Sequence, residues 1–371
     1  MKKVLVLTTS TGQGHNQAAN SLAEVFTKED FEVIKYDFLN NTSTFLNTVI
    51  VGGYEFSAAK TPKLFGLFYY LTDFRITNKL LKFLFWNIEK KLLNYINEVN
   101  PDLIIATHPL TLNIIDRLKR KNLIKVPFIS IVTDFMAHYS YVCKSIDAYI
   151  TGSNDSITYL NNRGIPKNKI FNYGIPIKSD FYSNNKEILS LKDRNEGYFN
   201  ILLMSGSMGI SKISYVLQEL VKNKHKLRIT IICGKNEQLK EKLNKLYSKN
   251  VNNKKIHIIG YTNDVSKIMD YSDILISKPG GLTSTESIVK NIPLIIPFAI
   301  PGQETLNTKF LHDNGYAIYI KHLNFLNAEV DKLITSPENL NNMKSRLKTL
   351  SSNYSVNKIV DLANKLIKEC K

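Results

Sequence analysis

The sequence contains few cysteines and no pattern that would use them. Its three cysteines, Cys143, Cys233 and Cys370, are far apart and form no C-x-x-C pair. A zinc cluster or a disulfide framework is therefore excluded, and we expect a protein of a reducing compartment.

Long apolar runs are also absent. No stretch of about 18 apolar residues occurs, so we expect no membrane-spanning helix. The N-terminus is basic and then apolar, but the apolar run stops at Thr8, short of the roughly 7 to 15 residues in the apolar core of a signal peptide. We therefore predict a first β-strand there, and any membrane contact should be peripheral.

Acidic residues are scarce relative to basic ones. The chain has 49 Lys and Arg against 32 Asp and Glu, a formal net charge of +17. This charge favours an anionic membrane surface, a phosphorylated substrate or a nucleic acid as partner. Because no nucleic-acid-binding motif occurs, we expect no nucleic acid. Heavy use of Lys, Asn and Ile along the whole chain is the alternative explanation of the charge.

Short β-rich runs alternate with helical patterns, which predicts parallel sheets with crossover helices and hence an α/β fold. The predicted strands are 4–7, 33–38, 103–106, 128–132 and 148–150, then 201–204, 229–233, 256–259, 274–276 and 294–296. A polar stretch separates the two series. We therefore expect an N-terminal domain over 1–182, a linker over 183–198 and a C-terminal domain over 199–353. Residues 354–371 should form an amphipathic helix, packing back on the N-terminal domain.

The first predicted strand runs into a glycine-containing turn, Gly12-Gln13-Gly14-His15, and then into a helix. Glycines let a ligand approach the backbone, and a helix start offers free N–H groups to an anion. A neutral imidazole at His15 could remove a proton from an acceptor hydroxyl. A tight turn chosen for helix packing is the alternative.

Further polar residues follow the predicted strands of the first half. His108 and His138 lie near strand ends, where open α/β sheets bind ligands, and Asp134 follows the strand 128–132. The carboxylate could orient or activate a group near His15. Its alternative role is to cap a turn or helix.

The second half repeats the strand–glycine–helix arrangement twice. The loop 204–209 could hold a diphosphate with backbone N–H groups. The segment 277–286 ends at Glu286, which we expect on the first turn of a helix, where it could accept both ribose hydroxyls or merely interact with the helix dipole. The segment 297–307 places amides and a carboxylate at a helix start, which suits sugar hydroxyls.

These motifs resemble those of the processive diacylglycerol glucosyltransferases and the plant galactolipid synthases, in the inverting family that also contains the peptidoglycan GlcNAc transferase. The resemblance covers nearly the whole chain: T-x-x-x-G-x-G-H-x-x-A-A at 8–19, T-D-F at 133–135, C-G-K-N at 233–236, G-Y at 260–261, K-P-G-G-L-T-x-x-E at 278–286 and P-G-Q-E-x-x-N at 301–307. It implies a GT-B fold, two Rossmann-like domains facing each other across a cleft. It also implies that acceptor binds the first domain and UDP-sugar the second, without a metal.

Carried over by residue, the resemblance implies His15 as the base; Asp134, from its position after the strand 128–132, is the second catalytic candidate. Gly206–Gly209 would lie at the diphosphate, Tyr261 at the uracil and Glu286 at the ribose. The full set of donor-binding residues is Gly14, Gly206, Ser207, Met208, Gly209, Tyr261, Gly280, Gly281, Leu282, Thr283, Glu286, Gln303, Glu304 and Asn307. Since the chain has no D-x-D, the clamp by which many nucleotide-sugar enzymes hold a metal is missing, and we expect neither metal nor cofactor.

The resemblance predicts a hexosyltransferase that acts on diacylglycerol or glycosyl-diacylglycerol, with glucose favoured over galactose and with successive additions as an option. A UDP-sugar epimerase of the same fold, a transferase acting on another lipid-linked acceptor, and a non-catalytic UDP-sugar sensor are the alternatives. The epimerase would convert the UDP-sugar without an acceptor, whereas a transferase consumes one. In the sensor, His15 would be dispensable.

The segment from Tyr54 to Trp86 is a candidate membrane-docking region at the cytoplasmic face of the cell membrane. Ten of its 33 residues are aromatic, against 10% in the whole chain. Aromatic rings favour the headgroup boundary, and each Lys or Arg near an anionic surface adds about 1 kcal/mol. A buried core helix is the alternative. The residues expected to dock are Phe68, Tyr69, Lys79, Lys82 and Trp86.

Overall fold

The computed structural model describes residues 1–9, 13–38, 66, 69–71, 73, 86–183, 197–204, 206, 212–247 and 253–370 and, of residues 86 and 87, the backbone. Among these residues the chain forms two compact units. The first consists of Met1–Ser179, Ile300–Leu306 and Asn353–Lys371, and the second of Asp180–Ala299 and Asn307–Ser352.

Strands and helices alternate along the chain. Up to residue 183 they are β1 (Lys2–Thr8), α1 (Gln13–Lys28), β2 (Phe31–Asp37), α2 (Trp86–Val99), β3 (Leu103–Ala106), α3 (Pro109–Arg120), β4 (Phe128–Ile131), β5 (Ala148–Ile150), α4 (Asn154–Asn161) and β6 (Ile170–Phe171). From residue 197 they are β7 (Phe199–Met204), α5 (Ile213–Val221), β8 (Leu227–Ile232), α6 (Glu237–Tyr247), β9 (Lys254–Ile259), α7 (Val265–Tyr271), β10 (Ile274–Ile276), α8 (Gly281–Val289), β11 (Leu294–Ile296), α9 (Gln303–Asp313), β12 (Ala317–Tyr319), α10 (Leu326–Thr335), α11 (Pro337–Ser351) and α12 (Val356–Cys370). Short 3₁₀ turns lie at Tyr139–Tyr141, Lys167–Lys169, Ser179–Tyr182 and Leu323–Phe325.

Each unit is built on a parallel sheet. The strand order is β2-β1-β3-β4-β5-β6 in the first and β12-β11-β10-β7-β8-β9 in the second. Every residue of β3 and β4 is buried, which explains why both appear in the sequence as apolar runs, interrupted only by Ser130 in β4. The predicted strands are all present, and the structure adds the edge strands β6 and β12. Only the first residue of each is buried, so neither appears in the sequence as a buried apolar run.

Helices cover both faces of the first sheet. On one face, Leu22 of α1 and Ile359 of α12 share an apolar cluster with β1. On the other, Leu92 of α2 and Ile115 of α3 pack together. The apolar stripe of α12 thus lies on the first sheet. No helix in the described part of the chain is both long and apolar enough to cross a membrane.

Candidate active site

Three neighbouring strands of the first sheet, β1, β3 and β4, bring polar residues to one edge. His15 lies in the first turn of α1, Thr107 follows β3, and Thr133 and Asp134 follow β4. Because these strands are parallel, their carboxyl ends meet at the edge where open α/β sheets bind ligands. The sheet therefore gathers candidate catalytic residues that are distant in sequence.

The imidazole of His15 is held in one tautomer by the turn after β3. Its Nδ1 lies 2.7 Å from the carbonyl oxygen of Thr107. A carbonyl oxygen can only accept, so Nδ1 carries the ring proton. The hydroxyl of Thr133 lies 3.2 Å from the same nitrogen. In the neutral ring the lone pair is then on Nε2, which can take a proton from a substrate hydroxyl.

The surroundings of His15 also favour its neutral form. Burial lowers the pKa of His15 to about 4, and the hydrogen bond to the Thr107 carbonyl opposes that shift only in part. At neutral pH the ring is uncharged, because its pKa is well below that of an exposed imidazole. A neutral ring is the form that a general base requires.

The two other histidines near strand ends use their lone pairs inside the fold. Nδ1 of His108 accepts the backbone N–H of Leu110 at 3.2 Å and so caps α3. Nδ1 of His138 accepts the N–H of Ser140 at 3.1 Å, while its Nε2 donates to the carbonyl oxygen of Tyr69 at 3.2 Å. Of these three histidines, His15 is the one whose tautomer leaves Nε2 to accept a proton. The other two have capping roles.

Asp134 meets a motif that lies far away in the sequence. Its side chain is buried, and Oδ2 accepts a hydrogen bond from Nε2 of Gln303 at 2.5 Å. Gln303 belongs to Ile300–Leu306, which groups with the first unit. This hydrogen bond joins the P-G-Q-E segment to the T-D-F segment. Within the T-D-F segment, Thr133 contacts His15 and Asp134 contacts Gln303.

In the second unit, backbone groups and glycines form the candidate phosphate site. Gly206 follows β7 with a φ of +73°, a conformation that favours glycine. β7 pairs with β10, and α8 starts five residues after the last residue of β10, at Gly281, with Gly280 as its N-cap. The first N–H groups of a helix lack partners within the helix and attract anions. Ser207, Met208 and Gly209 lie outside the described residues.

Lys278 is a functional candidate that the motif interpretation missed. A Cβ at Gly206 would come within 2.8 Å of Cε of Lys278, and one at Gly280 within 3.9 Å of its Nζ. The lysine therefore lies against both glycine turns, where its charge would suit a diphosphate. A lysine two residues after a buried strand and directly before Pro-Gly-Gly was the available signal.

The expected position of Glu286 was wrong. Helix α8 begins at Gly281 and has no acidic residue in its first turn, so Glu286 lies in the second turn. The reason is that Ser284 N–H already donates to the Gly280 carbonyl at 2.9 Å, which starts the helix early. A dipole interaction falls off beyond the first turn, so that alternative role for Glu286 is weakened. Its contact with ribose stays a prediction.

The remaining donor-site predictions fall into two groups. Tyr261 is 63% exposed and its hydroxyl donates to Asn263 at 3.1 Å, so its ring is accessible. Glu304 and Asn307 are buried and bonded inside the fold. Oε2 of Glu304 accepts Ile300 N–H at 2.9 Å, and Nδ2 of Asn307 donates to the carbonyl of Pro279 at 3.1 Å.

Gly14, Leu282 and Thr283 lie at helix starts. Gly14 is in the first turn of α1, and Leu282 and Thr283 are in the first turn of α8. Thr283 is half-buried and Leu282 is buried. Among the residues that the structure describes, no three His, Cys, Asp or Glu side chains group as metal ligands would.

The membrane-docking segment is described only in part. Phe68, Lys79 and Lys82 lie outside the described residues, and Trp86 is described by its backbone at the start of α2. Tyr69 is half-buried, with its ring centroid 4.7 Å from that of His138. Its neighbours Tyr70 and Leu71 are 42% and 49% exposed. The outward-facing residues of this turn are therefore Tyr70 and Leu71 rather than Tyr69.

Solved structures share the whole architecture. MurG from Acinetobacter baumannii is similar with a TM-score of 0.64 and 16% identity, over 98% of this chain and 100% of that chain. The UDP-GlcNAc 2-epimerase from Neisseria meningitidis has a TM-score of 0.58 and 14% identity, over 98% and 100%. Two parallel six-stranded sheets flanked by helices define the GT-B class, so the predicted α/β GT-B fold is confirmed.

Sequence comparisons narrow the class. The family model for monogalactosyldiacylglycerol (MGDG) synthase matches residues 15–177, and that for the glycosyltransferase family 28 C-terminal domain matches residues 200–366. Relatives named processive diacylglycerol beta-glucosyltransferase are 29% identical over 363 residues in Bacillus cereus (strain B4264) and 28% over 354 residues in Bacillus subtilis (strain 168). The alignments cover 97% and 94% of this chain and 92% and 91% of the relatives. The chain is similar to these relatives over nearly its whole length, and the resemblance found in its motifs is confirmed.

Proposed function

We propose that the protein transfers a hexose, preferentially glucose, from a UDP-sugar to the hydroxyl of diacylglycerol, with inversion at the sugar. The names of the aligned relatives support both the sugar and the acceptor. The single observation that carries the chemistry is the tautomer of His15. Its Nδ1–H is committed to the Thr107 carbonyl at 2.7 Å, so Nε2 is the atom that accepts the proton.

The reaction is a single displacement. The proton of the acceptor hydroxyl moves to Nε2 of His15, and the hydroxyl oxygen forms a bond to the anomeric carbon of the sugar. The bond from that carbon to the UDP oxygen breaks, and its electron pair leaves with UDP. Because attack and departure occur on opposite sides of the carbon, the configuration inverts. Asp134, held by Gln303 at 2.5 Å, orients the acceptor next to the base.

The second unit binds the donor in this proposal. The N–H groups at the start of α8, the turn at Gly206 and the ammonium of Lys278 stabilise the charge that develops on UDP. Glu286 accepts hydrogen bonds from the ribose hydroxyls, and Tyr261 lies against the uracil. These groups replace a metal, so activity should survive chelators, and an absolute requirement for a divalent cation would count against the mechanism.

Membrane association is peripheral and on the cytoplasmic side in this proposal. The net charge of +17 favours an anionic surface. Tyr70 and Leu71 present apolar surface in the docking segment, and aromatic side chains favour the boundary between headgroups and acyl chains.

Lipid mass spectrometry tests the proposal. Purified protein with UDP-glucose and diacylglycerol in anionic vesicles should yield hexosyl-diacylglycerol and an equal amount of UDP. Longer incubation shows whether dihexosyl lipid follows. Because epimerases share the fold, a reaction without lipid is the control. Conversion of the UDP-sugar to an epimer in that control, with no lipid product in either reaction, would favour the epimerase.

A further inference from the structure

The carboxylate of Asp73 holds a short turn, which contains residues 69–71, against the rest of the first unit. Residues 69–71 have helical backbone, and the N–H of Asp73 donates to the carbonyl of Tyr70 at 3.1 Å. Oδ1 of Asp73 accepts the N–H of Tyr139 at 2.7 Å and the hydroxyl of Tyr159 at 2.6 Å. The turn is thereby tied to the segment after β4 and to α4.

The inner residue of this turn, Tyr69, contacts His138 and lies close to the segment that holds Asp134. The ring of Tyr69 packs on His138, and a Cβ at Gly302 would come within 3.1 Å of Cβ of Tyr69. Gly302 precedes Gln303, whose amide holds Asp134. Burial, and after it the carboxylate of Asp134, raise the pKa of the Tyr69 phenol well above its usual value. The phenol is therefore protonated at neutral pH and can donate a hydrogen bond.

The outer residues of the same turn are the exposed ones, Tyr70 and Leu71. One turn of backbone thus separates side chains suited to a lipid surface from a side chain next to Asp134. Because Asp73 bonds to Tyr139 and Tyr159, the inner and outer residues share one anchored piece of backbone.

We propose that Asp73 is a positioning residue, which holds residues 69–71 as a fixed wall of the acceptor site. The wall sets the distance between the lipid surface at Tyr70 and Leu71 and the reacting hydroxyl at Asp134 and His15. This inference rests on the proposed function, because it requires a lipid acceptor. The proposal places Tyr69 at the acceptor. The nucleotide should therefore bind equally well whether or not Asp73 makes its hydrogen bonds to Tyr139 and Tyr159.

Asp73→Asn and Tyr159→Phe test the proposal, and the first should perturb the turn more than the second. The first removes the charge that both hydrogen bonds use, and the second removes only the phenol hydroxyl. We expect the KM for dioctanoylglycerol to rise about tenfold in Asp73→Asn and two- to fivefold in Tyr159→Phe, because the acceptor site loses its fixed wall. The Kd for UDP, measured by calorimetry, should be unchanged in both.

Asp147→Asn is a matched control. The Asp147 side chain is 29% exposed, as is that of Asp73, and its Oδ2 accepts the N–H of Phe128 at 2.8 Å and a hydrogen bond from Lys119. It lies at the opposite end of β4 from Asp134. This variant should lower the unfolding temperature without changing KM for the lipid.

The outcomes separate the two proposals. If the parent protein makes no hexosyl lipid, the proposed function is wrong and the wall has no acceptor. If the parent is active but Asp73→Asn changes KM no more than Asp147→Asn does, or weakens UDP binding in the same proportion, the positioning role is overturned. Should Asp73→Asn fail to fold, Tyr159→Phe decides, because the ring and its contact with Arg163 remain.

Discussion

The two units of this protein use different parts of the chain for their candidate sites. In the first unit, side chains are oriented by other side chains and by carbonyls, as His15 is by Thr107 and Asp134 by Gln303. In the second unit, glycine turns and a helix start form the site, and Lys278 adds charge. Changes in the first unit should therefore affect chemistry, and changes in the second should affect nucleotide affinity.

His15→Ala should have the largest effect. Loss of a general base typically lowers the rate about 10² to 10⁴-fold, so kcat should fall within that range. The Kd for UDP should stay within about twofold, because the residues proposed to contact the nucleotide, Tyr261, Lys278 and Glu286, belong to the second unit. Initial rates and calorimetry measure the two quantities. Near-normal kcat in a folded His15→Ala protein would assign the base role to Asp134.

Lys278→Met and Glu286→Ala should weaken UDP binding rather than act mainly on the chemical step. Charge-assisted hydrogen bonds are worth about 1.5 to 3 kcal/mol, which corresponds to a ten- to hundredfold loss of UDP affinity. Calorimetry with uridine separates the two residues, since Lys278→Met should leave uridine binding unchanged and Glu286→Ala should weaken it. Lys332→Met, on an exposed lysine of α10, is the control. Equal affinities for UDP in all the variants would remove both residues from the donor site.

The pH dependence tests the environment of His15. The acid limb of kcat/KM should fall near pH 4, where the folded His15 takes up a proton, and not near the ordinary pKa of 6.5. At pH 5.5 an ordinary imidazole would be about 90% protonated, so the difference there is about tenfold.

Stability has to be followed in the same experiment. The unfolded chain binds this proton below about pH 6.5, whereas the folded chain binds it only near pH 4. His15 therefore makes the free energy of unfolding decrease as the pH falls through that window. Circular dichroism at each pH confirms that the protein is folded. An acid limb near 6.5 in folded protein would contradict the assigned environment.

Leu71→Ser should have the smallest effect. It should change membrane binding, and neither the chemical step nor the nucleotide affinity. Partial burial of a leucine in lipid contributes about 1 to 2 kcal/mol, so binding to anionic liposomes should weaken about tenfold with UDP affinity unchanged. Leu123→Ser is matched, because both leucines are 49% exposed. Equal sedimentation of the two variants with liposomes would place the docking surface elsewhere.

The sequence predicts the local structure better than the long-range contacts. Strands β3 and β10 match their predicted bounds, because an apolar run with polar residues and a proline or glycine turn beside it is a local feature of the sequence. The hydrogen bond from Gln303 to Asp134 joins residues 169 positions apart, and no periodicity shows such a pairing. The misplaced start of α8 is a local error, because the hydrogen bond from Ser284 N–H to the Gly280 carbonyl makes Gly280 the N-cap and Gly281 the first helical residue.

The anomeric configuration of the product tests the central claim most directly. With UDP-α-glucose and diacylglycerol, an enzyme that uses His15 as base in a single displacement should give a β-linked glucosyl lipid. Proton NMR of the purified lipid distinguishes the two anomers by the coupling between H1 and H2. A β-linked product from the parent, and loss of that product in His15→Ala, is the predicted result. An α-linked product would contradict the single displacement.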